Sequence, residues 1–320
     1  MMSQGGISRR LVAFANALIG RVRGGLAQVN ILASMFFGGI RGSAVADVSS
    51  IGAMLIPMMV DDGYDADFAV AVTVTSACEG ILIPPSHNMI IFAMAAGGGV
   101  SVGKLFLGGL IPGVGLGLLL TIPTAIIAYK RGYPKEAPYG WRKTLKIARD
   151  AVFGLFTIII MGGVISGVFT ATESAAVAAA SSFGYLMAFL RIPQAVTNGL
   201  FAVTDNRIVL LLLINLMLLV LGTIMDMAPL IIITTPILYP VVVTHLGMDP
   251  IQFGIMMILN LAIGLTTPPV GSALFVGCSI GKISIEKATK AVMPFYIMMV
   301  ADLMLVTFVP AMTMFLPSFM

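Results

Sequence analysis

From Ile31 to the C-terminus the chain is a succession of apolar runs, several approaching bilayer length and separated by few charges. A helix needs about 20 such residues to cross a membrane. In hydrocarbon, backbone N–H and C=O groups must bond one another, so only helices or a closed barrel can span. Runs this long select helices. Of the 320 residues, 58% are hydrophobic and 10% charged, against roughly a quarter charged in a soluble domain, which excludes a soluble enzyme. The expected fold is an all-α polytopic membrane protein, with no cleavable signal peptide to invoke. Cys78 and Cys278 lie far apart in apolar surroundings without metal-ligand spacing, so they read as small packing residues.

The net charge of +4 matters less than its placement. Lys130, Arg131, Lys135, Arg142, Lys143, Lys146 and Arg149 crowd one connection, offset by Glu136 and Asp150. Basic residues in short loops mark the cytoplasmic side. Nucleic acid is not the expected partner, because the flanks are apolar and no aromatic platform accompanies the charge.

Ile7 to Arg23 reads as an interfacial helix, with Leu11, Phe14, Leu18 and Val22 on one face and arginines at its ends. Gln28 to Met59 is interrupted at Gly38, Gly39 and Gly42 to Asp47, leaving two pieces of about 13 residues. Each is too short to span, which predicts a re-entrant hairpin. Ala66 to Ala96 is helical but broken at Pro84-Pro85, where two helix donors are lost. Lys104 to Tyr129, Ala151 to Phe169 and Glu173 to Leu190 read as crossings. Thr170 and Glu173 have capping-box spacing.

The second half then repeats the first. Asp47 precedes Pro57 by ten residues, as Asp226 precedes Pro236. Gly63-Tyr64-Asp65 answers Gly247-Met248-Asp249, Phe68 answers Phe253, and Pro84-Pro85 answers Pro268-Pro269. Ser101 to Lys104 answers Ser284 to Lys287, and Pro112 answers Pro294; the offset stays between 179 and 185. Four units follow: residues 1–129, the interfacial helix and first repeat; 130–150, a basic cytoplasmic loop; 151–205, scaffold helices and a connecting arm; and 206–320, the second repeat.

Irregular backbone at membrane depth survives only in protein or beside a polar cavity. Paired broken helices in corresponding positions are the sequence pointer to a midplane transport site. Oxygen-bearing side chains gather at these breaks: Ser43, Asp47, Ser86 and Asn88 in one half, Thr223, Asp226, Thr266, Thr267 and Ser272 in the other. Such donors suit a hard cation such as Na⁺ and no transition metal. The expected ion-binding region comprises Ser43, Asp47, Pro84, Pro85, Ser86, Gly222, Asp226, Thr266, Thr267, Pro268 and Pro269. The expected substrate region comprises Arg41, Ser43, Glu79, Ser86, Asn88, Thr267 and Gly271. Asp47 and Asp226 are alternatively N-caps of the second hairpin arms. A catalytic Ser86–His87 pair is disfavoured, since neighbours rarely form a nucleophile and base and no orienting acid is evident.

Gly42-Ser43-Ala44-Val45-Ala46-Asp47, Ile83-Pro84-Pro85-Ser86, Phe169-Thr170-Ala171-Thr172-Glu173, Gly222-Thr223-Ile224-Met225-Asp226 and Leu265-Thr266-Thr267-Pro268-Pro269-Val270-Gly271 together give the chain a family resemblance. It resembles the large membrane subunit, DctM, of the tripartite ATP-independent periplasmic (TRAP) transporters. The resemblance implies a bacterial inner-membrane permease, not an enzyme, of the elevator-type ion transporter superfamily. It implies import of C4-dicarboxylates, sialic acid or similar organic acids with Na⁺ as coupling ion and no organic cofactor. The implied partners are a periplasmic binding protein, a small four-helix membrane subunit and the lipid bilayer.

Three departures from that pattern stand out. Relatives carry helices ahead of the segment matching Ile7, so the chain reads as truncated at its N-terminus. Between Ala179 and Phe183 it reads as missing a loop and one crossing. Counting crossings agrees: two spans after the basic loop would put Lys282, Lys287 and Lys290 outside, against the positive-inside bias, whereas one more crossing inverts the second repeat. Arg41 and Glu79 replace uncharged residues. They are expected to reach water in the cavity, to pair with each other, or to bring Arg41 to a substrate carboxylate. The alternative function is a non-transporting remnant of such a permease.

Overall fold

The computed structural model describes residues 22–41, 43–134 and 204–320, with isolated positions 195, 196, 199 and 202. Most of the interfacial helix, the basic loop beyond Pro134, the spans at 151–169 and 173–190, the Thr170–Glu173 box and the Ala179–Phe183 junction lie outside the described residues.

Helix α1, Gly25–Arg41, and helix α2, Ala44–Asp61, form the first pair of arms. Helix α1 ends at Arg41 and α2 begins at Ala44. The arms are therefore 17 and 18 residues long, not two pieces of about 13, and α2 is long and apolar enough to cross a membrane. Gly38 and Gly39 lie within α1, because glycine costs an interior helical position only about 0.5–1 kcal/mol relative to alanine. A π-helical turn occupies Val48–Gly52. The arms fold back on each other, so that the Asn30 amide reaches Met59 Sδ at 3.7 Å.

Helices α3, Ala66–Leu82, and α4, His87–Ala95, are the halves of a broken helix bent by 52°. Helix α5, Val102–Arg131, is a long crossing that tolerates Pro112 and Pro123 and stops at left-handed Gly132. The same order recurs after residue 204. Arms α6, Arg207–Ile224, and α7, Met227–His245, precede α8, Pro250–Gly264, and α9, Ser272–Gly281. Long helix α10, Ile285–Phe308, and short α11, Ala311–Met314, follow. Among the described residues five helices are apolar and long enough to span, six when α3 and α4 count as one bent span.

The centre of the bundle is built from α3 and α8. Every residue from Phe68 to Leu82 and from Ile251 to Gly264 is buried, the signature of helices apolar on all faces and enclosed by others. They touch directly, with the Cys78 thiol 3.2 Å from the Ala262 carbonyl. The outer helices instead present apolar stripes every four residues: Leu110, Val114, Leu118, Ile122 and Ile126 on α5, and Ile208, Leu212, Leu216, Val220 and Ile224 on α6.

Apolar packing alone holds helices weakly in lipid, so polar side chains supply much of the register. Asn30 donates to Thr73 Oγ at 2.6 Å, and the Ser34 and Ser76 hydroxyls meet at 3.1 Å, fixing α1 on α3. In the second half Asn260 donates to the carbonyl and side-chain oxygen of Asn215 at 2.9 and 2.8 Å. Asn215 reaches Thr307 Oγ at 3.3 Å, and Gln252 donates to Val306 O at 3.0 Å, which ties α6, α8 and α10 together.

Candidate functional site

The four interruptions of the two halves converge. A cleft of about 30 Å³ is lined by Ser43 and Ala44 from the first tip and by Asp226, Met227 and Ala228 from the second; Ile81, His87 and Asn88 from α3 and α4, with Leu265 at the end of α8, complete it. Asp226 and His87 are exposed at its mouth, whereas Asn88 is buried. A space of this size holds a water molecule or a bare ion.

Each tip is shaped by its local sequence. Ser43 has an extended backbone, and its hydroxyl accepts from Ala46 N at 3.4 Å, capping α2. Asp226 occupies the matching N-cap position of α7 but makes no side-chain cap bond. Asp47 is not a cap: it lies one turn inside α2 and is buried. The recurring ten-residue Asp–Pro spacing therefore pairs residues at different heights. Ser43 and Asp226 stand 183 apart, as do the caps Ser101 and Ser284, whereas Asp47 and Asp226 stand 179 apart.

At the breaks, Pro84-Pro85 and Pro268-Pro269 are both joined by cis peptide bonds. The second break docks on the second tip, because Val270 N and Gly271 N donate to the Thr223 carbonyl at 3.3 and 3.4 Å. Glycine is required where α6 meets α8: a Cβ on Gly264 would lie 2.5 Å from the Gly222 carbonyl carbon. The Thr266 and Thr267 hydroxyls both donate to Ile263 O at 2.8 Å. The Tyr296 hydroxyl of α10 donates to the Thr266 carbonyl and braces the unwound segment. Ser86 Oγ and Ser272 Oγ are buried with no hydrogen-bond partner among the described residues. Buried hydroxyls are normally satisfied, so both are available as hard oxygen donors.

Of the sequence-predicted residues, the cleft gathers Ser43, Asn88 and Asp226, with Thr223 and Gly271 bonded just behind the second tip. Glu79 is not in its lining. It is fully buried with both carboxylate oxygens unpartnered among the described residues. It faces α5, where a Cβ on Gly117 would meet Glu79 Oε2 at 2.5 Å. Of Arg41 only the backbone is described, as the last residue of α1. Sequence reasoning missed His87, Leu265 and Met227 as lining residues, and Gly264 and Tyr296 as supports. The recurrence of glycine at the ends of α6 and α8 was a usable signal for Gly264; Tyr296 had none.

A bundle with two broken central helices and paired arms defines a multi-pass helical membrane protein whose irregular backbone is gathered at one polar cleft. Comparison with known proteins gives the family. The model of the DctM component of the tripartite ATP-independent periplasmic transporters matches residues 1–184 and 174–312, and the chain belongs to that family. It is 36% identical to the C4-dicarboxylate TRAP transporter large permease protein DctM of Vibrio cholerae, over 99% of this chain and 83% of that protein. Against the sialic acid TRAP transporter large permease protein SiaM of the same organism the identity is also 36%, over 99% and 83%. Against the uncharacterized protein YgiK of Salmonella typhimurium it is 39%, over 99% and 82%. These are transport proteins by family, not enzymes. The YgiK alignment runs over 357 positions against the 320 residues of this chain, so at least 37 of its positions have no counterpart here. The two matched stretches overlap at 174–184, the window that contains the Ala179–Phe183 junction.

Proposed function

We propose that the chain is the permease subunit of a system that imports an organic acid together with Na⁺ across a bacterial inner membrane. In this reading a periplasmic binding protein delivers the acid, and a small four-helix membrane subunit accompanies the permease. The observation that carries the reading is the convergence of both tips and both broken helices on one cleft. Family relatives are named for C4-dicarboxylate, sialic acid and isethionate, all of which are acids. Freed backbone N–H groups at the starts of α2, α4, α7 and α9 favour an anion there, while Asp226, Ser43 and the unpartnered Ser86 and Ser272 hydroxyls offer hard oxygens to Na⁺. Na⁺ bound beside the acid offsets its charge, which couples the two. Arms that part and close on opposite faces, as in inverted repeats, give alternating access of the elevator kind.

The experiment is reconstitution of the chain in proteoliposomes with the small subunit and the binding protein, followed by uptake of labelled acid. Saturable uptake driven by a Na⁺ gradient supports the proposal; equal uptake without Na⁺ under a proton gradient overturns the coupling. The gap in the relatives' alignment favours a second reading, in which this chain forms the cleft but lacks a complete cycle. Activity that returns only when one crossing is restored between Ala179 and Phe183 selects it.

A further inference from the structure

A second cavity lies away from the cleft, between α1 and α5. It measures about 430 Å³ and is walled by Leu32, Met35, Leu118 and Ala125, with Arg23 and Tyr129 at one end. We propose that it is a site for an anionic phospholipid, with one acyl chain inside and the phosphate on Arg23. Its size is that of a ligand site, and its lining is almost wholly apolar, which suits a hydrocarbon chain and not a hydrophilic acid. It also opens sideways. Leu118 belongs both to the cavity and to the exposed stripe of α5, so a ligand enters from the bilayer.

The polar end supplies the headgroup contact. The Arg23 guanidinium lies 5.7 Å from the Tyr129 ring centroid, and its Nε is buried with no hydrogen-bond partner among the described residues. A guanidinium matches phosphate oxygens in both charge and geometry. Arg131, two residues beyond Tyr129, is engaged by Asp65 and Asp67 at 2.8 and 3.1 Å, and Arg23 is the basic residue that lines the cavity. An aromatic ring with basic residues at a helix end is the composition of the membrane interface, and this end leads into the basic loop that the sequence places in the cytoplasm. The headgroup therefore belongs to the inner leaflet, where anionic lipid is held by basic side chains.

The full chain, purified in detergent and incubated with vesicles of palmitoyl-oleoyl phosphatidylglycerol or phosphatidylcholine, is examined by native mass spectrometry. One retained phosphatidylglycerol per chain, in preference to phosphatidylcholine, is expected. Arg23→Gln should lower that retention about fivefold, the worth of one basic group at the interface, and Ala125→Phe should abolish it by filling the cavity. Lys104→Gln, at the opposite end of α5, should leave it unchanged. Circular dichroism checks each variant, and Arg23→Gln, at the mouth, remains decisive if Ala125→Phe does not fold. Equal retention of both lipids, or phosphatidylglycerol retention unaffected by Arg23→Gln, overturns the proposal.

Discussion

Asp65 stands just before α3, outside the spanning segments, and receives the Tyr133 hydroxyl at 2.7 Å and Arg131 at 2.8 Å. The Tyr133 bond chiefly, with Arg131 assisting, holds its carboxyl below the ordinary value of 3.8 against a smaller effect of burial. Burial and the bond to Asp65 push the Tyr133 phenol up to about 12, so it remains a donor at neutral pH. A carboxyl with a lowered folded value contributes stability above its unfolded value and loses it as pH falls through the folded one. Asp65→Asn should therefore unfold at lower temperature than the parent at pH 7, with the gap closing below about pH 3.8; thermal unfolding in detergent at both pH values checks this. At the cleft, Asp226→Ala and Ser43→Ala should each reduce Na⁺-dependent uptake by tenfold or more, about 1.4 kcal/mol, measured as initial rates. Asp47→Asn should reduce it less, because Asp47 lies outside the cleft lining. That contrast was not legible in the sequence, where the ten-residue Asp–Pro spacing made Asp47 the counterpart of Asp226. Only the backbone shows that Ser43 holds the equivalent cap.

Helix breaks at prolines were legible because the missing donor and the ring clash act locally, whatever the surroundings. Breaks α3–α4 and α8–α9 fall where Pro84-Pro85 and Pro268-Pro269 put them. The arms were less legible, since glycine permits a helix to end without requiring it, and Gly38 and Gly39 lie within α1. Contacts between elements were the least legible. Nothing local announces that Gly264 must face Gly222, or that Tyr296 holds the Thr266 carbonyl. Their consequence is testable at the level of helix packing. Gly264→Val places side-chain atoms against the backbone of α6, so α6 and α8 must separate, at a cost of about 1–3 kcal/mol. Gly99→Ala, in open space, should be neutral. Chemical unfolding of the two variants beside the parent measures the difference.

Taken as one molecule, the described chain brings tips from its two different halves together at one cleft. Joining Ala44→Cys on α2 to Ala228→Cys on α7 with a short reducible cross-linker should stop uptake, and reductant should restore it. Uptake that continues in the cross-linked protein would show that the tips need not part. The size of the cleft between them has a further consequence. With about 30 Å³ between the closed tips, a cation held there on the proposed reading would have no room for a complete hydration shell. It would shed water and accept protein oxygens in exchange, as ions do in selectivity filters. Discrimination among alkali cations would then rest on how well a few carbonyl and hydroxyl dipoles match the energy of the lost water, so Na⁺ and K⁺ should be told apart by dehydration and not by charge.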